Sequence, residues 1–503
     1  MQENTNKAII LNSIILYVRL AVTALCGLFI TRYALNALGV NDYGLYSVVG
    51  SIITFISIIN TMMLSTSNRF IATAIGRGDE KEINKVFNVN VIVHLGCAFA
   101  VLLLGLTVGD YYVGNYVNYD GDINLAIKVF NISLIASAIS FLGVPFNGLL
   151  MAKERFYVFC ILDIIIYPVR LLLCYLLQFI ESDRLILYAI ISALCTLLPT
   201  ICYYFYCESK FHSLVKFSLV KDRSSYSEVL KFSAWVGYGA VAQVGKSQGA
   251  ALIINAFFTT VMNTALGIAN QLHSFILMFV QNISKPISPQ ITKNYSAGNF
   301  ERCHTLMVIT SKLSYMFMLF ISMPFLLCPE FLINLWLGYV PPYSVLFVRL
   351  IIINSLVDSL NLGIAEYIFA SGKIFWYQFV TNTILLLSIL AGYLILKIGT
   401  PAEYLLYVYI VFSAIAVIAR QIILHIDHGF DNGILIKGSY LPSLLTTVMM
   451  IPIFFLPDSI HPIVKIIISS IYLLILIYLI GLKSTERLYI NAQLTRFINR
   501  SQN

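Results

Sequence analysis

The chain has 503 residues, of which 59% are hydrophobic and 11% charged, and its mean hydropathy is +0.84. Soluble domains carry about 25% charged residues, so this composition excludes an ordinary globular domain and a disordered chain alike. The formal net charge is +8, but the basic residues are scattered over short connections with no groove of interleaved aromatics, which excludes a nucleic-acid partner and leaves orientation in a bilayer as their role.

Apolar blocks fall at residues 9–31, 44–66, 87–108, 123–151, 157–180, 185–206 and 229–255. They continue at 259–282, 305–327, 342–370, 376–396, 402–424, 441–457 and 462–481. Blocks of this length match the ~30 Å hydrocarbon core of a bilayer. The expectation is an all-α integral membrane protein of about fourteen transmembrane helices. The first block is too long for the core of a cleavable signal peptide and is expected to stay as a span.

Alternate connections carry the basic residues, among them Arg69, Arg77, Lys81 and Lys85, then Lys153 and Arg155, then Lys285, Lys293 and Arg302. The opposite connections hold few, and the segment Asp110 to Asp122 holds three aspartates and no basic residue. By the positive-inside rule both termini are expected in the cytoplasm. The nine cysteines form no Cys-x-x-Cys pair, and they read as small apolar fillers rather than disulfides or metal ligands.

The chain also repeats itself. Laying residue n on n + 220 brings Gly78 onto Gly298, Lys153 onto Lys373 and Tyr157 onto Tyr377. Six spans separate the equivalents, so the repeats share one orientation and are expected to be related by a pseudo-twofold along the membrane normal. The expected organisation is an N-terminal lobe at residues 1–226 (spans 1–6) and a second lobe at 227–436 (spans 7–12). Spans 13–14 with a cytoplasmic tail fill residues 437–503. Two like lobes rocking about a midplane site is the layout of an alternating-access transporter.

Charges inside the apolar blocks point to the site. Among them are Arg19 in span 1, Asp163 and Arg170 in span 5, Lys246 in span 7, and Arg349, Asp358 and Glu366 in span 10. Each costs roughly 2.5–3.5 kcal/mol in lipid, so they must face one another or a water-filled cavity. Asp163 and Arg170 are seven apart on one helix face and form a candidate structural pair. Asn354, Asp358 and Asn361 make one polar stripe, Asn12 shares a face with Arg19, and Gln243 with Lys246. Arg349 and Glu366 lie near helix ends, where snorkelling explains them equally well. Arg420 reads as an anchor at the end of span 12, and His94 and His273 as packing residues. A cavity holding Arg19, Arg170, Lys246 and Arg349 would be cationic and would suit an anionic, phosphate-bearing substrate. Asp163, Asp358 and Glu366 are then the candidates for ion pairing or for coupling to a proton or sodium gradient. No Walker sequence and no His/Cys cluster is present, and the outward connections are short, so neither an enzyme nor a bound cofactor or metal is expected.

Leu38-Gly39-Val40-Asn41-Asp42-Tyr43-Gly44-Leu45-Tyr46 resembles the lead-in to span 2 of bacterial polysaccharide flippases. These are the O-antigen and exopolysaccharide exporters of the multidrug/oligosaccharidyl-lipid/polysaccharide superfamily. Arg69 through Gly78-Asp79 resembles that family's first cytoplasmic connection, and Ala370-Ser371-Gly372-Lys373 with Asn382 and Gly399 its span 10–11 region. The resemblance runs over essentially the whole chain. It implies a multi-pass protein of the bacterial inner membrane that moves an undecaprenyl-diphosphate-linked oligosaccharide repeat between leaflets through a cationic cavity. The partners it implies are the lipid-linked oligosaccharide, membrane lipid and other glycan-assembly membrane proteins, with a monomer as the simplest state. The alternatives are a cation-coupled small-molecule exporter of the same fold and a membrane enzyme acting on lipid-linked sugars.

Overall fold

A computed structural model describes residues 2–153, 155–483 and 486–488, the side chains of 2–14 and of scattered later positions excepted. Asn12, Arg69, Lys285 and the tail beyond residue 488 thus lie, wholly or by their side chains, outside the described part. The described residues are mostly helical, with no strand among them, and helix runs through each of the fourteen apolar blocks. Eleven helical segments among them are long and apolar enough to cross a membrane. Large apolar side chains such as Phe99, Leu194, Ile398 and Phe455 are exposed, whereas Asn88, Asn263, Thr310 and Lys312 are buried. That inversion of the soluble pattern fits a protein whose surroundings are lipid. The chain is a multi-pass membrane protein.

The first helices are α1 (Gln2–Ile56), α2 (Ile58–Arg77), α3 (Glu80–Leu104) and α4 (Asp110–Tyr116). They are followed by α5 (Ile123–Ser140), α6 (Val144–Ala152), α7 (Phe156–Leu176) and α8 (Arg184–Val215). Then come α9 (Arg223–Phe257), α10 (Thr260–Ser296), α11 (Phe300–Leu327) and α12 (Pro329–Leu337). The chain continues through α13 (Ser344–Ser359), α14 (Leu362–Ser371), α15 (Phe375–Lys397) and α16 (Tyr404–His428). Short α17 (Asn432–Leu435), α18 (Leu441–Met449) and α19 (Pro462–Leu476) complete it. Spans 1 and 2 meet inside α1 at Gly39, whose φ of +77° and ψ of 176° break the helix. A side chain would strain that left-handed backbone, which glycine adopts freely.

The offset of 220 governs the helices as well as the motifs. Adding it to the starts of α3, α4, α5, α6, α7 and α8 gives 300, 330, 343, 364, 376 and 404. The helices α11 to α16 begin at 300, 329, 344, 362, 375 and 404, all within two residues. Interruptions repeat too: span 4 breaks into a 3₁₀ turn at Phe141–Gly143, and span 10 breaks at Leu360 and Asn361, their equivalents within a residue. Gly78 and Gly298 both end their helices at positive φ, 79° and 74°.

The chain forms two compact units. Unit 1 contains residues 1–267, 336–342 and 393–402. Its core is built where α1, α3, α4, α5 and α8 meet, with Leu45, Val101, Phe130, Leu134 and Phe141 fully buried. Helix α7 packs along α1, and α6 and α9 pack on α2. Unit 2 contains residues 268–335, 343–392 and 403–503, with α11 at its centre against α13, α14 and α19. Helix α9 packs on α1 and α2 within unit 1. Small and hydroxyl residues permit that approach. A Cβ on Gly237 would stand 2.1 Å from Met62 Cε, and Ser233 Oγ donates to Thr66 Oγ1 at 2.9 Å.

At one end of unit 1 the span 1–2, 3–4 and 7–8 connections are tied together. Thr264 Oγ1 donates to the Val40 carbonyl at 2.5 Å, and Thr260 Oγ1 to Asn41 Oδ1. Asn118 and Asn255 exchange two hydrogen bonds, at 3.0 and 3.2 Å, and Tyr119 Oη donates to Asp42 Oδ1 at 2.7 Å. Gly44 lies so close that a Cβ there would stand 2.0 Å from the Thr260 carbonyl oxygen. The motif Leu38 to Tyr46 is thus the hub of a clasp.

Candidate functional site

In unit 1 the intramembrane charges lie on α1, α7 and α9. Packing of α7 along α1 sets Arg19 Nε 2.6 Å from Asp163 Oδ2, with the two side chains 37% and 20% exposed. The guanidinium also stands 5.0 Å from the centre of the Phe159 ring, one helical turn before Asp163. Tyr203 lies within electrostatic reach of both charges. The partner of Asp163 is therefore Arg19 across the helix interface, and not Arg170 along its own helix. Seven residues of α-helix rise about 10 Å, too far for a direct contact between Asp163 and Arg170.

Arg170 instead donates from Nη2 to Ser192 Oγ on α8 at 3.1 Å, and its buried Nε has no partner among the described residues. Tyr46, Tyr188, Cys174 and Cys195 surround it within electrostatic reach, and the Tyr46 and Tyr188 rings meet edge to face at 4.6 Å. Lys246 is half-buried on α9 in the same unit, with exposed Gln243 nearly a turn before it. Unit 1 thus holds Arg19, Asp163, Arg170 and Lys246, and of these the structure brings Arg19 and Asp163 into contact.

The polar stripe of span 10 lies in unit 2. Asn354 Nδ2 donates to Asp358 Oδ2 at 3.1 Å, and Ser413 Oγ of α16 donates to Asn354 Oδ1 at 2.8 Å. His273 of α10 shares a 2.7 Å hydrogen bond with Ser355. One residue beyond Asp358, at Ser359, the helix stops. Asn361, 3% exposed, holds both amide atoms buried without a partner among the described residues. The backbone stays bonded through the break, since the N–H groups of Leu360 and Asn361 both reach the Asp358 carbonyl, and what lies unsatisfied beside the carboxylate is the Asn361 amide. Arg349 is exposed on α13. Glu366 is half-buried on α14 and within reach of Tyr377, over whose ring Arg420 lies at 5.8 Å.

A cavity of about 460 Å³ opens in unit 1 where the end of α2 meets the starts of α3 and α9. Phe70, Val86, Val89 and Val229 line its apolar part. Its rim carries Arg77, paired with Glu82 at 2.5 Å, and Lys85, paired with Asp222 at 2.7 Å. Hydrogen bonds from Lys85, Ser224 and Ser225 hold the Asp222 carboxyl well below the usual carboxylate range. Among the described residues no group of three His, Cys, Asp or Glu is arranged to hold a metal ion.

The sequence reading passed over Thr260, Thr264, Asn118 and Asn255. A signal for two of them was present, since 40 + 220 and 44 + 220 put Thr260 and Thr264 at the equivalents of Val40 and Gly44. Hydroxyls and small residues there allow the close approach.

No family model matches this chain, and no curated protein does. Solved structures do. An inward-facing multidrug resistance MATE family transporter of the MOP superfamily aligns with TM-score 0.66 at 14% identity, covering 81% of this chain and 96% of its own. The lipid II flippase MurJ in an inward closed conformation aligns with TM-score 0.66 at 13% identity, covering 93% of this chain and 98% of its own. A MATE structure in a bent conformation aligns with TM-score 0.59 at 13% identity, over 83% of this chain and 94% of its own. The chain has the fold of MOP-superfamily transporters, and these neighbours are transporters and a flippase.

Proposed function

We propose that this protein is a flippase that carries an undecaprenyl-diphosphate-linked oligosaccharide repeat across the bacterial inner membrane for O-antigen, capsule or exopolysaccharide synthesis. The observation that carries this reading is the charge balance of unit 1. Of the charges near helix centres it holds three cations, Arg19, Arg170 and Lys246, against the single carboxylate of Asp163. Asp163 is taken by Arg19, and Arg170 leans on a neutral hydroxyl. A guanidinium with an unused N–H in a low-dielectric span favours an anion, and a diphosphate matches its geometry. The near-complete match with a flippase structure, against about four-fifths of this chain for the MATE transporters, supports the same choice.

In this reading the two repeats alternate about the chamber, both termini face the cytoplasm, and the cavity at the α2, α3 and α9 ends opens to that side. Asp358, beside the break in span 10, is the proposed coupling position for a proton or sodium ion. Charge movement would supply about 2.3 kcal/mol per charge per 100 mV. The protein acts as a monomer beside other glycan-assembly proteins. A cation-coupled exporter of small molecules is the second reading, favoured by the equal TM-score of a MATE transporter.

The test is complementation of a bacterium that lacks its own repeat-unit flippase, supplied with this chain and the matching glycan enzymes. Restored surface glycan, lost on charge reversal at Arg170, supports the function and the site together. Lipid-linked repeats that form but stay facing the cytoplasm would overturn the flippase reading for that glycan and favour the exporter.

A further inference from the structure

The span-by-span reading of charge passes over Lys312, near the middle of α11, yet it is among the most deeply buried large side chains in the chain, 1% exposed. Its ammonium pairs with Glu486, which comes from beyond the last span. The same carboxylate oxygen accepts the backbone N–H of Lys483 at 2.8 Å. Burying an ammonium without a counter-charge is strongly unfavourable, so the pair must form if α11 is to keep Lys312 where it is.

The helices around this pair are shaped to receive it. Val308, Lys312 and Met316 are spaced by four and share one face of α11. Gly438, inside a π-helical turn at Ile436–Tyr440, meets Val308: a Cβ there would stand 2.6 Å from Val308 Cγ1 and 3.5 Å from Lys483 Nζ. Gly481 ends a second π-helical turn, Ile477–Gly481, and meets Met316, with a Cβ position 3.1 Å from Met316 Cε. Each π turn inserts one residue into a helix, and such insertions are found mostly where a local geometry is needed. Here both bring a glycine backbone against the same face of α11, one on each side of Lys312. Beyond Glu486, Arg487 Nε donates to the Leu482 carbonyl at 3.2 Å, folding the segment back on itself.

We propose that Lys312 is the centre of a built anion site in unit 2, specific for a carboxylate, and that Glu486 is its tethered ligand. The C-terminal segment is then a latch that fastens the two appended spans onto α11, so that they travel with unit 2. The proposal is independent of the flippase reading.

Chemical rescue of the purified full-length chain tests it. Glu486→Gly should melt several degrees below the parent, and sodium acetate should raise its melting temperature well beyond any effect on the parent. Sodium chloride at equal ionic strength should not. The double variant K312M/E486M, an apolar pair of similar volume, should melt close to the parent and show no acetate response. Melting of Glu486→Gly at the parental temperature, or an equal acetate effect on all three proteins, would overturn the proposal. If Glu486→Gly yields no folded protein, recovery of folded protein by K312M/E486M supports the site, and failure of the double variant overturns it.

Discussion

Thr264 donates a hydrogen bond to the Val40 carbonyl across 224 residues of sequence, four more than the internal repeat of 220. Gly44, whose equivalent at the repeat offset is Thr264 itself, sits against the Thr260 carbonyl. The two copies of the span 1–2 junction thus meet near their own equivalents, and the contact depends on a glycine at one position and hydroxyls at two others.

Gly44→Val should therefore loosen this clasp. Its Cβ would arrive 2.0 Å from a backbone oxygen that cannot swing aside, and overpacking of this kind costs about 1–3 kcal/mol. Thermal unfolding of the purified protein is expected to shift down, and an unchanged melting temperature would show that the junction is not closely packed.

The Arg19–Asp163 pair separates structure from substrate binding. Asp163→Ala leaves a half-buried guanidinium without its carboxylate and should cost on the order of 2 kcal/mol. Exchanging the two, as R19D/D163R, keeps a pair at the same interface and should restore stability. If Arg19 also meets the anionic substrate, the exchanged protein is stable and transports poorly. Full transport by it would assign the pair to structure alone.

Asp358→Asn retains the hydrogen bond partners of Asn354 but removes a charge beside the span 10 break. Transport by this variant is expected to lose its response to an imposed proton or sodium gradient, with folding preserved. Flux in proteoliposomes with and without each gradient measures this, and a retained response would move the coupling site elsewhere. Ser413→Ala removes the donor to Asn354 and should cost about 1–3 kcal/mol.

Asp222 provides a pH signature at the start of α9. Its folded carboxyl titrates below the unfolded value of about 3.9. A depressed folded value stabilises the protein fully above the unfolded one, and that contribution disappears as pH falls toward the folded value. The difference in melting temperature between the parent and Asp222→Asn should be constant from neutral pH to about 5 and shrink below about 4. A difference that grows on acidification would contradict the hydrogen bonds to Lys85, Ser224 and Ser225.

Much of the fold was legible in one dimension. The bilayer sets a length for every apolar block, so the positions of helix follow from hydropathy, and one offset of 220 runs through both the motifs and the helix starts. The charges Arg19, Asp163, Arg170, Lys246 and Asp358 stood out because a charge inside such a block is costly wherever it points. What neither length nor hydropathy encodes is which helices cross at which height. Only the packing of α7 on α1 gave Asp163 to Arg19 instead of to Arg170, and only the packing of α9 on α1 and α2 placed that helix in unit 1. Lys312, inside the block at 305–327, met the same criterion and was passed over; its counter-charge, 174 residues away, is what only the tertiary structure supplies.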